Sequence, residues 1–100
     1  MSYEAYYEFT VVSGEGFTPE YFETMLEKIV GFNPNHSTTR WDNMRKNMKT
    51  LSVMYPNHLF MIESTGIESG DFNRSYFKNN KIASYEGEVT FKPFKMEDLQ

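Results

Sequence analysis

Cysteine is absent from this chain. Its absence excludes disulfides, thiolate nucleophiles and cysteine-ligated zinc or iron–sulfur clusters together, so stability must rest on packing. Long apolar runs are missing as well. None approaches the roughly 20 residues that a membrane-spanning helix needs, and the first residues lack the basic-then-apolar layout of a secretory signal. The expectation is a soluble, cytoplasmic protein with no membrane partner. Histidine is scarce: His36 and His58 lie in turn contexts without ligand spacing between them. Both read as surface loop residues, and no metal or cofactor is expected. Neither histidine has the serine or aspartate setting of a nucleophilic triad, so no catalytic residue is assigned and an enzyme is not expected.

Basic residues are missing from positions 1–27, which hold six acids: Glu4, Glu8, Glu15, Glu20, Glu23 and Glu27. Positions 40–49 reverse the balance, with Arg40, Arg45, Lys46 and Lys49 against Asp42 alone. Against a mild net charge of −4, that segregation marks two differently charged surfaces, either of which could meet a partner.

What the chain has in quantity is aromatic side chains, nine Phe, seven Tyr and one Trp, enough to build a core from a few bulky groups. Its 100 residues suit one domain and are too few for two cores. Ala5, Tyr7, Phe9 and Val11 alternate with Glu4, Tyr6, Glu8 and Thr10, the pattern of a half-buried strand with an acidic outer face. Ser13-Gly14-Glu15-Gly16 ends it. A Gly-x-Gly before a helix resembles a phosphate-cradling loop, but its acidic middle residue would repel phosphate and no lysine follows, so it reads as a turn.

Thr18-Pro19-Glu20 then starts a helix: a capping hydroxyl, proline at the first position and an acid in the first turn. Tyr21, Phe22, Met25, Leu26, Ile29 and Val30 make its buried side, Glu20, Glu23 and Glu27 its acidic side, and Gly31 its stop. Asn33-Pro34-Asn35 is a turn cluster, and Ser37-Thr38-Thr39 is either a short edge strand or a loop.

The stretch from Trp41 to Lys81 carries most of the remaining apolar pattern. Trp41, Met44, Met48, Leu51 and Tyr55 recur at helical spacing, Asp42 stands where an N-cap belongs, and Pro56 stops the run. Arg45, Lys46 and Lys49 flank the apolar stripe. Leu59 to Thr65 begins with a nearly continuous apolar run, as a central strand does. Gly66 to Asp71 is a hairpin connector, Phe72 to Lys78 alternates as a second strand, and Asn79-Asn80 is a turn suited to positive φ. A last strand is expected from Ile82 to Phe91, with Ala83, Tyr85, Gly87, Val89 and Phe91 on one face. The expected domain covers residues 1–93, and 94–100 reads as a tail that orders only if Phe94 or Leu99 docks.

Trp41-Asp42, Met48, Leu51-Ser52, Tyr55-Pro56, Leu59-Phe60, Gly70-Asp71, Arg74, Tyr76-Phe77 and Asn80-Lys81 follow the order and spacing of a known group. Over roughly the last 60 residues the chain resembles the Api92-like family of small proteins from bacteriophages and other mobile elements. It departs from that pattern with Gly66-Ile67-Glu68 in place of Gly-Glu-Glu and Asn79-Asn80-Lys81 in place of Asn-Gly-Lys, both in hairpin connections. The resemblance implies a ferredoxin-like fold and a mobile-element setting, and it supplies no catalytic residues.

Together these features set the expectation: an α+β, ferredoxin-like domain with two helices on one face of a four-stranded antiparallel sheet, in the order β-α-α-β-β-β, plus a short edge strand if Ser37-Thr38-Thr39 pairs. The leading functional reading is a non-enzymatic binding protein that inhibits a host defence protein such as a CRISPR effector. Its partner surface would be Glu20, Glu23 and Glu27, with Glu4 and Glu8. The alternative is a nucleic-acid-binding module using Arg45, Lys46 and Lys49, with Tyr6, Tyr76 or Tyr85 stacking bases; the acids of the neighbouring strands oppose it. A small hydrolase using Glu63, Glu68 or Asp71 comes third.

Overall fold

The computed structural model describes residues 4–67, 70–87 and 94–100. Within them the chain runs β1 (Ala5–Ser13), α1 (Pro19–Val30), β2 (Ser37–Thr39), α2 (Met44–Met54), β3 (Leu59–Gly66), β4 (Phe72–Lys78) and β5 (Lys81–Gly87), followed by a 3-10 turn at Met96–Asp98. The strands form one antiparallel sheet in the order β2-β1-β3-β4-β5. This is an α+β domain with five strands rather than four, because Ser37–Thr39 pairs with Ala5–Tyr7. Both β2 and β3 run antiparallel to β1 and therefore parallel to each other. Thus β2-α2-β3 is a split β-α-β unit with β1 between its strands, and β3-β4-β5 continues as a meander.

Alternation decides which face each residue takes. Ala5, Tyr7 and Phe9 of β1 share a core with Phe60 and Ile62 of β3 and Phe77 of β4, and both helices cover it with Phe22, Leu26, Met48 and Leu51. Trp41 is in that core at 5% exposure, edge-on to Tyr7 with ring centroids 5.3 Å apart. The helical stripe from Trp41 to Tyr55 is therefore the buried side of α2, with Met44 and Tyr55 at its margins. Ser52 adds a polar tie to the same side: its Oγ donates to the Lys49 carbonyl at 2.7 Å and accepts the Asn80 N–H at 2.8 Å, holding the β4–β5 turn against α2. Asn79 and Asn80 in that turn have φ of 48° and 67°, the pair of positive values a tight hairpin needs.

One expected cap is corrected. Asp42 is exposed and does not cap α2; Asn43 holds that position, and its side chain makes no capping bond. Trp41 is the cause. Its carbonyl accepts the Met44 N–H at 3.3 Å and its indole N–H donates to Asn47 Oδ1 at 2.8 Å, and this double anchor turns Asp42 out into solvent.

The opposite face of the sheet carries a smaller cluster of Leu59, Tyr76 and Ala83. Residues 94–100 close over it. Phe94 stacks on Tyr76 with centroids 4.2 Å apart, Leu99 packs on the cluster, and Ile82 and Gln100 exchange both backbone hydrogen bonds at 2.9 Å. The tail's two candidate anchors are thus both docked. The expected extension of the last strand through Val89 to Phe91, like Tyr3, Glu68 and Glu88, lies outside the described residues.

Candidate functional site

The loop from Ser13 to Thr18 sets up the most unusual surface of the domain. Gly14 has φ of 123°, and a Cβ there would lie 2.4 Å from His58 Cδ2, so only glycine lets the loop pass. His58 is the second correction: it is buried at 6% exposure, not a surface histidine. Its ring lies among Phe17, Phe22, Tyr55 and Phe60, and its Nε2 is 3.4 Å from the Gly16 carbonyl. His36 is exposed as expected, with Nδ1 3.1 Å from the Tyr6 hydroxyl.

Phe17 follows Gly16 with φ of 68°. For a bulky residue this left-handed conformation costs on the order of 1–2 kcal/mol. The strain does not hide the ring. Phe17 remains 58% exposed, stacked on Tyr21 at 4.5 Å and edge-on to Tyr55 at 5.5 Å. Tyr21 is 36% exposed and Met54 46% exposed, so apolar and aromatic groups meet solvent together at this end of the molecule. A shallow groove of about 550 Å³ lies beside them, lined by Phe17, Met54, Tyr55 and His58 with Glu15 at its edge. The hydroxyls of Tyr21 and Tyr55 are 2.7 Å apart. That bond, with burial second, pushes the Tyr55 hydroxyl up to about 12.

α1 carries its acids away from this core. Glu20 and Glu27 are exposed and Glu23 is half-buried, with Asn33 Nδ2 donating to its Oε1 at 3.4 Å. Glu20 follows Phe17 within one turn of the helix start, so the acidic row begins beside the exposed rings. Glu8 does not join that row. It stands on the other face of the sheet, across from Glu63, which in turn faces Arg74. Arg74 Nη2 donates to Glu63 Oε2 at 2.8 Å; burial lowers the guanidinium's pKa, but the bonds to Glu63 and Tyr76 outweigh this and the net shift is upward. Glu4 is exposed just before β1 and follows the parity of Glu8. The five glutamates therefore form two groups on opposite faces.

Arg45 and Lys46 are exposed and Lys49 half-buried along α2. They line a groove of about 590 Å³ with Val53, Met54 and Ile82, and among the described residues no carboxylate contributes to its lining. The three tyrosines considered for base stacking are otherwise engaged: Tyr6 with His36, Tyr76 under Phe94, and Tyr85 donating to Asp98 Oδ2 at 2.5 Å. Burial and that bond to Asp98 raise the Tyr85 pKa. Of the acids near the hairpin connector, Glu63 is paired with Arg74, Asp71 is exposed, and Glu68 lies outside the described residues. Among the described residues no group of three histidines, cysteines or carboxylates could hold a metal, and no helix is long and apolar enough to cross a membrane.

Phe17 is the residue that sequence reading missed. Its only signal was a large aromatic between a glycine turn and the Thr18-Pro19 cap, a position where small polar residues are the rule. Compared with protein-family models, curated proteins and solved structures, the chain matches none.

Proposed function

We propose that this domain is a non-enzymatic binding protein that grips a partner protein with Phe17, Tyr21, Tyr55 and Met54 and attracts it with Glu20, Glu23 and Glu27. The observation that carries this reading is the strained, exposed ring of Phe17 stacked on Tyr21. The ring stays 58% exposed although it touches Phe22, Tyr55 and His58 as well as Tyr21, and such outliers cluster at ligand clamps. Exposed aromatics with a charged rim are the composition of interface hot spots. Glutamates beside them favour a basic partner surface, such as a groove that holds nucleic acid, and speed the encounter.

The mobile-element setting, the host-cell cytoplasm and a defence nuclease such as a CRISPR effector as target belong to the same reading. They rest on the resemblance of Trp41 to Lys81 and on the acidic row, with Glu4 and Glu8 as a separate, weaker contribution. A ferredoxin-like layout is part of it too, supported by the split β2-α2-β3 unit and by two helices on one sheet face.

The experiment is capture of the partner from a bacterial lysate, followed by binding kinetics with a Glu20→Lys, Glu23→Lys, Glu27→Lys variant. Association should slow by about tenfold or more, with dissociation changed less. A variant that binds as fast and as tightly as the parent would remove the acidic row from the interface.

Nucleic-acid binding is the second reading, favoured by the groove that Arg45, Lys46 and Lys49 share, to which no carboxylate among the described residues contributes. It requires steep loss of affinity with salt and with charge reversal of those three residues. The expected result is no appreciable binding of DNA or RNA at physiological salt.

A further inference from the structure

The outer side of α2 changes character along its length. Arg45, Lys49 and Val53 stand four residues apart on one ridge, and Lys46, Thr50 and Met54 on the next. Both ridges run from cations near the helix start to apolar side chains in the last turn, a distance of about 12 Å. Asn80 of the β4–β5 turn and Ile82 of β5 line the same groove of about 590 Å³.

Neither end of this groove is satisfied within the chain. None of Arg45, Lys46 and Lys49 forms an ion pair with another described residue. Asp42 and Glu86 line a neighbouring groove with Arg45 and Lys46, and Asp98 a further one with Arg45, yet none of these acids pairs with a described cation. At the far end Val53 is 52% exposed and Met54 46% exposed, and neither packs in the core or against it. Valine is a poor choice for an exposed helical position, because its branched side chain loses rotamer freedom against the preceding turn. Exposed apolar groups rimmed by charge mark an interaction surface, and methionine adapts to the shape of what it meets.

We propose that this groove docks an acidic segment of a partner protein that carries aliphatic side chains beyond its acids. The acids meet Arg45, Lys46 and Lys49, and the aliphatic groups lie against Val53, Met54 and Ile82. Charge complementarity selects the acids. The about 12 Å between the two ends sets their distance from the aliphatic anchors, about two turns of a bound helix. A nucleic-acid backbone would meet the same cations, but no ring lines the groove to stack a base, and Val53 and Met54 would stay uncovered. Of the residues lining the Phe17 groove only Met54 is shared, so the proposal does not rest on the Phe17 reading. The two surfaces call for partner segments of opposite charge.

The probe is a helical peptide with a block of glutamates followed, about two turns on, by a block of leucines. Titrated into the isotope-labelled protein, it should produce saturable shifts at the amides of Lys49, Val53 and Ile82. A peptide with glutamine for glutamate, or with serine for leucine, should bind about tenfold more weakly or worse. Lys49→Glu and Val53→Ser should each weaken the glutamate–leucine peptide about tenfold while melting close to the parent. Phe17→Gly should leave its affinity unchanged, which separates failure here from failure at the other surface. The proposal is overturned if the shifts do not saturate, if either control peptide binds as tightly, or if either groove variant keeps the parent's affinity. A short oligonucleotide that shifts the same amides at lower concentration would assign the groove to nucleic acid instead. Shifts that grow with protein concentration in the absence of peptide would assign it to a second copy of the chain.

Discussion

The two helices lie on the same face of one sheet, yet they begin in opposite ways. At α1 the Thr18 hydroxyl accepts the Tyr21 N–H at 3.1 Å, Pro19 takes the first helical position and Glu20 meets the positive end of the dipole. At α2 the cap position is filled by Asn43 without a bond, and Arg45 and Lys46 occupy the first turn. The first start stabilises itself and needs nothing further. The second leaves the N–H groups of Arg45 and Lys46 without an acceptor among the described residues. Local rules are kept at Thr18 and Pro19 and broken at Phe17 before α1 and in the first turn of α2.

The largest expected effect concerns the part of α2 that does follow the rules. Leu51 is fully buried, and Leu51→Ala should cost about 2–5 kcal/mol in denaturant unfolding, against almost nothing for Lys46→Ala. Equal small effects would mean that the stripe from Trp41 to Tyr55 is not the packed side. Next comes Ser52→Ala, which strips the Asn80 N–H of its acceptor and should cost about 1–3 kcal/mol.

The comparison of the two starts can be broken directly. Removing the α1 cap with Thr18→Ala should cost about 1 kcal/mol, whereas Asn43→Ala should cost at most a few tenths because no bond is lost. Similar losses in thermal melts would show that Asn43 caps after all.

The smallest effect is alkaline. Tyr55 holds its proton more tightly in the folded chain than at its ordinary value of 10.0, so the stability this confers is complete below that pH and is lost as pH rises to about 12. Tyr21→Phe removes the chief cause of the shift. Melting temperature should fall less steeply over that window in the variant than in the parent.

How much of this was legible follows from the range of the forces involved. α1 was readable because Thr18, Pro19 and Gly31 act within a turn of their own positions. The Asn79-Asn80 turn was readable for the same reason. β2 carries no apolar signal in Ser37-Thr38-Thr39; it is held by Asn35 Oδ1, which accepts the Phe9 N–H at 2.9 Å, and by the His36 N–H bond to the Tyr7 carbonyl at 2.8 Å. No local pattern encodes such bonds. Asp42 has the better composition for a cap, but the tertiary anchoring of Trp41 decides the geometry. The separation of Glu8 from the α1 acids depends on which face each element covers, and strand parity alone cannot place a helix.

One substitution tests most directly whether Phe17 is kept for binding. Phe17→Gly relieves the left-handed strain while giving up the ring contacts with Tyr21, Phe22, Tyr55 and His58, so the two effects partly offset and folding stability should fall by about 1–2 kcal/mol. Affinity for the captured partner should fall by about 30-fold or more, the loss that marks an interface hot spot, chiefly through faster dissociation. A variant that loses several kcal/mol of stability, or that keeps the parent's dissociation rate, would contradict this and make the exposed ring a packing element.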